Sequence, residues 1–297
     1  MIDNPAGLGL GWVESPEDPR DYPIAAALDA VGEPLALPAS YHVPAPLYPV
    51  LDQGSSPMCV AYSAAGEQGW FDLRDSGLAL FDMPLFFRRI GGTPQGAVIR
   101  DALAERLSDG CPEQGHPERA AQHRISSYYS VPVDADGLKA AILAFGPVVV
   151  GTPWYRRWFA PVGGVLGTPD VKVGGHAILA VGWNAAGLRL RNSWGADWGQ
   201  SGEATLPWGQ LHYLREAWKA VDQRTAPTLF SVTLSRPTPT YVKPGGAKTG
   251  KKAGEYEYRC LRLKSGGAWW YRIDGPARSD RLGEWMPAQS WMEVKPL

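Results

Sequence analysis

Cysteine is scarce: Cys59, Cys111 and Cys260 are the only three among 297 residues. They are too few and too scattered for a disulfide framework, and no paired C-x-x-C offers the spacing of a zinc site. Reduced thiols follow as the default state, with neither a metal nor a cofactor expected. Long hydrophobic runs are missing too. No stretch reaches the ~18 apolar residues that a membrane-spanning helix requires, so no span is expected. The opening "MIDNPAGLGLGWVESPEDPRDYP" lacks the basic n-region and apolar h-region of a secretory signal. The protein is therefore expected to act where it is made, in the cytoplasm, or to leave by lysis or within a virion.

What is present is enough chain for about two domains of ~150 residues each. The net charge of -1 conceals an asymmetry, because residues 225–297 hold 12 Lys and Arg against 6 Asp and Glu. The body is acidic and the tail basic. Texture changes at the same place: "SRPTPTYVKPGGAKTGKKAGEY" is rich in Pro, Gly, Thr and Lys and reads as a loop or linker. Beyond it, "YEYRCLRL", "AWWYRI" and "SWMEVKP" are short, aromatic and partly alternating, as in a small all-β module. Four of the 13 tryptophans lie there, enough to close a small apolar core. The expected organisation is an N-terminal extension (1–34), a main domain (35–224), a linker or loop start (225–254) and a β module (255–297).

Within the body, residues 96–110 place Val98, Ile99, Ala102, Leu103, Arg106 and Leu107 at helical spacing with Gly110 as a stop, and 134–146 repeats the pattern. Residues 147–151, 176–183, 187–193 and 202–207 are short, β-rich and punctuated by glycine, predicting an antiparallel sheet. Helices early and strands late define an α+β class. Two other motifs carry little. "GGAKTGKK" (245–252) fits G-x-x-x-x-G-K, but Lys252 stands where a phosphate-binding loop needs a hydroxyl. Cys111 and His116 stand five apart with no further ligand nearby, so a loop after a helix is the simpler reading.

Cys59 is different. "DQGSSP" precedes it as loop chemistry and "VAYSAAGEQGW" follows as an Ala-rich helix, placing the thiol at a first turn. There, unpaired backbone N–H groups and the helix dipole favour a thiolate, the form that attacks. On position alone a buried, inert cysteine is the favoured reading, since free cysteine is among the most buried residue types.

Other segments decide between these. Gln53-Gly54-Ser55-Ser56-Pro57-Met58-Cys59-Val60-Ala61-Tyr62-Ser63 resembles the nucleophile segment of papain-like cysteine proteases. His176 in Gly-His-Ala-Ile matches the family's histidine, and Asn192-Ser193-Trp194-Gly195 its Asn-Ser-Trp-Gly. His176 follows Cys59 by 117 positions and Asn192 follows His176 by 16, in the family's order. "GPVVVG", "VGGVLG" and "GADWGQSGEATL" extend the resemblance over roughly residues 35–221, and 91–113 resembles a helix of shorter bacterial and viral members.

The resemblance implies a papain-like two-lobed fold, a helical lobe beside an antiparallel β-barrel-like lobe. It implies a Cys59 nucleophile and a His176 that holds the thiolate as an ion pair and then protonates the leaving amine. Asn192 would orient the imidazole, Gln53 would complete the oxyanion hole with the Cys59 backbone N–H, and Trp194 would cover the His/Asn pair. Gly91, Gly92, Gly96, Gly174 and Gly175 become candidate cleft walls for a peptide or protein substrate, while Trp154, Tyr155, Trp158 and Phe159 fit either subsites or core. Val60 replaces the family's usual Trp, and Ser56 stands where secreted members carry a disulfide cysteine. The family's long propeptide is not apparent, since about 50 residues precede Gln53; control would fall to expression, localisation or the termini folding over the cleft. The C-terminal module loosely resembles SH3-like appendages and, being basic, would suit polyanions such as wall polymers or nucleic acid, or a protein partner. Two alternatives share these residues: a peptidoglycan amidase or endopeptidase of phage or bacterial origin, and a virion or adaptor protein that uses the fold for binding.

Overall fold

The computed structural model describes residues 7–19, 21–25, 27–28, 35–44, 47–75, 77–222, 229–241, 248–253, 257–265, 268–275, 285–287, 289 and 292–296. The chain divides into two compact units, Met1–Ala27 with Leu35–Arg224, and Leu28–Pro34 with Thr225–Leu297.

The first unit opens with the short strands β1 (Trp12–Val13) and β2 (Tyr41–His42), followed by helices α1 (Cys59–Asp75) and α2 (Met83–Arg89). Strand β3 (Ala97–Val98) leads into α3 (Ile99–Ser108), then β4 (Ile125–Ser130) and α4 (Ala135–Phe145). Five strands complete it: β5 (Val148–Tyr155), β6 (Lys172–Trp183), β7 (Gly187–Arg191), β8 (Glu203–Pro207) and β9 (Glu216–Asp222).

Helix α1 forms where the Ala-rich run begins, directly after Pro57, and Val60, Ala61, Ala64 and Ala65 are all buried. Small side chains let it lie close against β6 and β5, with α2 and α3 packed on its other sides. The Asp82 side chain accepts from Leu85 N at 2.9 Å and caps α2; that of Asp134 accepts from Gly137 N at 2.7 Å and caps α4. The helix predicted over 96–110 starts at Ile99, because Ala97 and Val98 are drawn into parallel pairing with β1.

The sheet runs β4-β9-β5-β6-β7-β8, with β2 added on β6, and every pair is antiparallel. This ladder joins no hydrogen bonds between its outer strands β4 and β8 among the described residues, so the sheet is open where barrel-like closure was expected. Central β5 is buried on both faces along "VVVG", which explains its continuous rather than alternating hydrophobicity.

Helices and sheet are also joined by buried charge. Glu67 of α1 accepts from Arg106 Nη1 of α3 at 2.7 Å and from Lys219 Nζ of β9 at 2.5 Å, all three side chains fully buried. Burial pulls the Lys219 amine down to about 8, with Glu67 opposing that shift.

In the second unit the strands are β10 (Leu229–Thr233), β11 (Thr238–Tyr241), β12 (Lys248–Ala253), β13 (Glu257–Ser265), β14 (Ala268–Gly275), β15 (Trp285–Pro287) and β16 (Glu293–Pro296). Their order is β12-β11-β15-β14-β13-β10-β16. The expectation of a linker over 225–254 is corrected here, since three of these strands fall inside it. A ladder is held by backbone groups, so a Pro, Thr and Lys composition does not forbid pairing, and a lysine-bearing strand suits a sheet edge such as β12.

Candidate active site

Cys59 is the first residue of α1, and its position is fixed from two directions. Upstream, the 51–56 loop is zipped to the 192–195 loop: Gln53 N donates to Ser193 O at 2.8 Å, and Gly195 N to Leu51 O at 2.9 Å. Downstream, Ser63 Oγ donates to Ala177 O at 2.9 Å, docking the helix on β6 one residue past His176. Ala177 N in turn donates to Cys59 Sγ at 3.4 Å. The thiol thus lies against the backbone beside His176.

His176 Nε2 and Asn192 Oδ1 are 2.8 Å apart. The register places His176 on β6 and Asn192 just past β7, its neighbour in the sheet, so the 16-residue separation folds back into contact. Asn192 Oδ1 also accepts from Ser193 N at 2.8 Å, fixing which amide atom faces the imidazole. With Nε2 on Asn192, the other ring nitrogen, Nδ1, is buried without a hydrogen-bond partner among the described residues. Trp194 stacks on the ring at 4.4 Å between centroids and 26°, and Trp154 meets it edge-on at 4.8 Å. These indoles exclude water from the His176–Asn192 bond.

Gln53 uses its amide at both ends. Oε1 accepts from Ser193 Oγ at 2.7 Å; Nε2 donates to Ser56 O at 2.7 Å and to Gly9 O at 3.2 Å.

That last contact belongs to a feature outside the Cys59, His176 and Asn192 motifs. Residues 8–13 lie across the site. Gly9 N donates to Gly54 O at 2.8 Å, while Gly9 O accepts from both Gln53 Nε2 and Trp194 Nε1 (3.3 Å). Gly11 N donates to Gly175 O at 3.0 Å, Ala97 N donates to Gly11 O at 2.8 Å, and Trp12–Val13 pairs with Ala97–Val98. The approach is closest at the glycines: a methyl on Gly9 would collide with Ser56 O, and one on Gly11 with Pro57 O. Gly96 adopts φ 115°, a left-handed value that favours glycine, and a side chain there would strike Gly11 O.

Coverage sets the electrostatics. Cys59 and His176 are fully buried. Burial raises the Cys59 thiol to about 12, against the pull of the Ala177, Gly11, Val60 and Cys59 backbone N–H groups. Burial lowers the His176 imidazole to about 4, against the Asn192 hydrogen bond. Between those values both groups are neutral. Burial in the covered site therefore works against both charged forms of the ion pair expected of Cys59 and His176.

Of the expected cleft walls, Gly96, Gly174 and Gly175 abut residues 10–12: Leu10 Cδ1 would be 2.7 Å from a methyl on Gly174, and a methyl on Gly175 would meet Trp12. Gly91 and Gly92 do not. Their N–H groups donate to Arg88 O (3.2 Å) and Phe87 O (2.8 Å), so they terminate α2 instead of walling the site, and no methyl there would touch residues 8–13. Trp154, Trp158 and Phe159 are buried in an aromatic cluster with Trp194 and Trp198, which makes them packing around His176. Ser193, Gly9, Gly11 and Trp12 were missed; the alternating glycines of "GLGLGW" were the one signal, since such glycines mark close backbone approach.

Comparison with known proteins agrees with this geometry. Residues 100–210 match the sequence profile described as papain family cysteine protease. A gut-specific cysteine proteinase of Caenorhabditis elegans is 31% identical over 131 residues, 38% of this chain and 40% of the relative, so the match spans about two fifths of that protein's length. Among solved structures, xylellain, a cysteine protease from Xylella fastidiosa, superposes with a TM-score of 0.63 at 22% identity, covering 73% of this chain and 97% of that one. Procathepsin B S9 from Trypanosoma congolense gives 0.62 at 15% identity, covering 74% and 88%. The fold is papain-like, with helical and antiparallel sheet lobes.

Proposed function

We propose that the protein is a cysteine peptidase acting on peptide or protein substrates through Cys59, His176, Asn192 and Gln53. The observation that carries this reading is the His176 imidazole, held by Asn192 at Nε2 and left without a partner at Nδ1, with the Cys59 sulfur against the adjoining backbone. With the site uncovered, Nδ1 takes the thiol proton and the sulfur attacks the substrate carbonyl. Gln53 Nε2 and the Cys59 backbone N–H at the helix start receive the developing oxyanion. The intermediate collapses as His176 returns the proton to the leaving amine, giving a thioester that water hydrolyses with His176 as base. Asn192 keeps the ring in register through both steps.

Alkylation with iodoacetamide followed by peptide mapping tests the nucleophile, and hydrolysis of a peptide library tests the reaction. Labelling at Cys59 and loss of hydrolysis to background in Cys59→Ala are expected. Hydrolysis that persists in that variant, or preferential labelling of Cys111, overturns the assignment. The basic 225–297 region supports a companion role, with its strands as an SH3-like module that holds the peptidase on a polyanionic surface.

A further inference from the structure

Arg191 ends β7 one residue before Asn192, and its guanidinium reaches in two directions. Nη1 donates to Glu203 Oε1 of β8 at 3.0 Å, and Nη2 donates to Tyr48 O at 2.8 Å. Tyr48 is fixed on the helical side: its hydroxyl donates to Ala79 O at 2.7 Å, and a methyl on Gly69 of α1 would collide with its ring. The chain runs on from Tyr48 to Gln53. One side chain therefore joins the strand end that carries Asn192 to the segment that carries Gln53. That tie matters because the Asn192 amide is held from one side. Its Oδ1 faces His176 Nε2 and accepts from Ser193 N, while Nδ2 is buried without a hydrogen-bond partner among the described residues. Tyr48, Leu51, Ser63, Arg191 and Asn192 line a recess between α1 and β6, so the amide has space into which it can relax. What keeps it in register is its backbone: Asn192 N donates to Gly202 O at 2.8 Å, directly beside the Arg191–Glu203 pair.

Glu203 is pinned in turn. Arg189 Nη2 donates to it at 2.9 Å, and His42 Nε2 lies 3.1 Å from its Oε2. His42 Nδ1 lies 2.9 Å from Val43 O. Both ring nitrogens thus face acceptors, so both must carry hydrogen and the ring is an imidazolium. The hydrogen bond to Glu203 raises the imidazole above its ordinary 6.5, against burial and the nearby Arg189. Among the described residues the charged groups facing His42 are Glu203 from β8 and Arg189 from β7; β6 pairs with β2 through Gly182 and Trp183, which bear no charge. Neutral His42 would keep its proton at Nδ1 for Val43 O and turn a lone pair toward the Glu203 carboxylate. Losing that charge therefore loosens the anion on which Arg191 rests.

We propose that Arg191 is a positioning residue of the active site, coupling Asn192 to the segment that carries Gln53, and that His42 keeps its counterion Glu203 in place. The proposal rests on the peptidase reading above, and its test separates the two. The full chain, Arg191→Met, Arg191→Lys and His42→Gln are assayed on one cleaved peptide, with kcat expressed per Cys59 thiol that iodoacetamide labels. A merely structural loss reduces the number of labelled thiols and leaves that quotient unchanged. Arg191→Met is expected to lower it by about 10- to 100-fold with KM nearly constant, the worth of hydrogen bonds from a charged group. Arg191→Lys puts one ammonium in place of a two-armed fork and is expected to recover part of the loss; it serves where Arg191→Met fails to fold. The ratio of wild-type kcat to that of His42→Gln is expected to be about 2- to 10-fold near about pH 5.5 and to fall to one or below near about pH 9. The imidazolium contributes below its raised value and is lost as pH rises through it, while Gln keeps an N–H for Glu203 at every pH. Titration of Cys59 and His176 is common to both proteins and cancels in the ratio. An unchanged kcat per labelled thiol in Arg191→Met, or a ratio that stays constant with pH, overturns the inference and leaves the peptidase standing. If the wild-type protein and every variant cleave no peptide, the peptidase reading falls and the inference with it.

Discussion

Gln53 Nε2 donates to Gly9 O in the covered site, and the same N–H is the group that an oxyanion would need. Ser193 acts on it indirectly, by holding Oε1 and so aiming the other end of the amide. Gln53→Ala is expected to lower kcat by ~100- to 1000-fold with little change in KM, because the donor matters only as charge develops on the substrate oxygen. Ser193→Ala removes one neutral hydrogen bond and is expected to cost about 2- to 10-fold in kcat. Steady-state kinetics on one peptide checks both, and a fall confined to KM would contradict the assigned roles. These positions differ in how visible they are from the chain alone. Cys59, His176 and Asn192 each sit in a short motif with its own neighbours. The Arg191–Tyr48 contact joins residues 143 apart and leaves no mark in either segment.

Strands β7 and β8 present Asn192, and their shared clamp is Glu203. Its carboxylate takes Arg191 Nη1 at 3.0 Å, Arg189 Nη2 at 2.9 Å and His42 Nε2 at 3.1 Å, so β2, β7 and β8 meet on one side chain immediately before Asn192. Burial alone would raise the carboxyl; hydrogen bonds from His42 and Arg189 outweigh it and bring Glu203 down to about 2 from 4.5. A carboxylate depressed on folding adds stability above the unfolded value and loses it as pH falls through the folded one. Acid should therefore weaken the fold progressively from about pH 4.5 to 2 through this group. Glu203→Gln is expected to flatten that arm of the urea-midpoint profile while lowering the midpoint at neutral pH. The Glu67 cluster behaves differently, because charge that cannot reach water must be matched. Glu67→Gln leaves Arg106 and Lys219 short of an anion and is expected to destabilise the fold by about 3–5 kcal/mol, read from denaturant unfolding. Periodicity marked α3, with Arg106 among its apolar positions, but did not mark β9, and only tertiary packing brings Glu67 between Arg106 and Lys219.

Across the whole molecule, charge is divided along the chain: an acidic body precedes a basic 225–297 region. A polyanion-binding role for that region predicts retention on a heparin column that weakens as salt shortens the screening length. Lys251→Glu/Lys252→Glu in the full chain is expected to shift elution to lower salt without altering peptide hydrolysis, and an unchanged elution position would remove the role. Composition changes near residue 225, where the second unit's long segment begins. The strands beyond it were only partly legible, since β11 and β12 are held by backbone pairing that composition does not report. The covering segment carries one more consequence, in the sign of its mutations. A buried glycine ordinarily tolerates substitution badly, and variation there reduces activity. At Gly9 and Gly11 the added atoms would push residues 8–13 away from the cleft wall, so a saturation screen scored on turnover should show gains at these two positions set among losses at Gln53, Cys59 and His176.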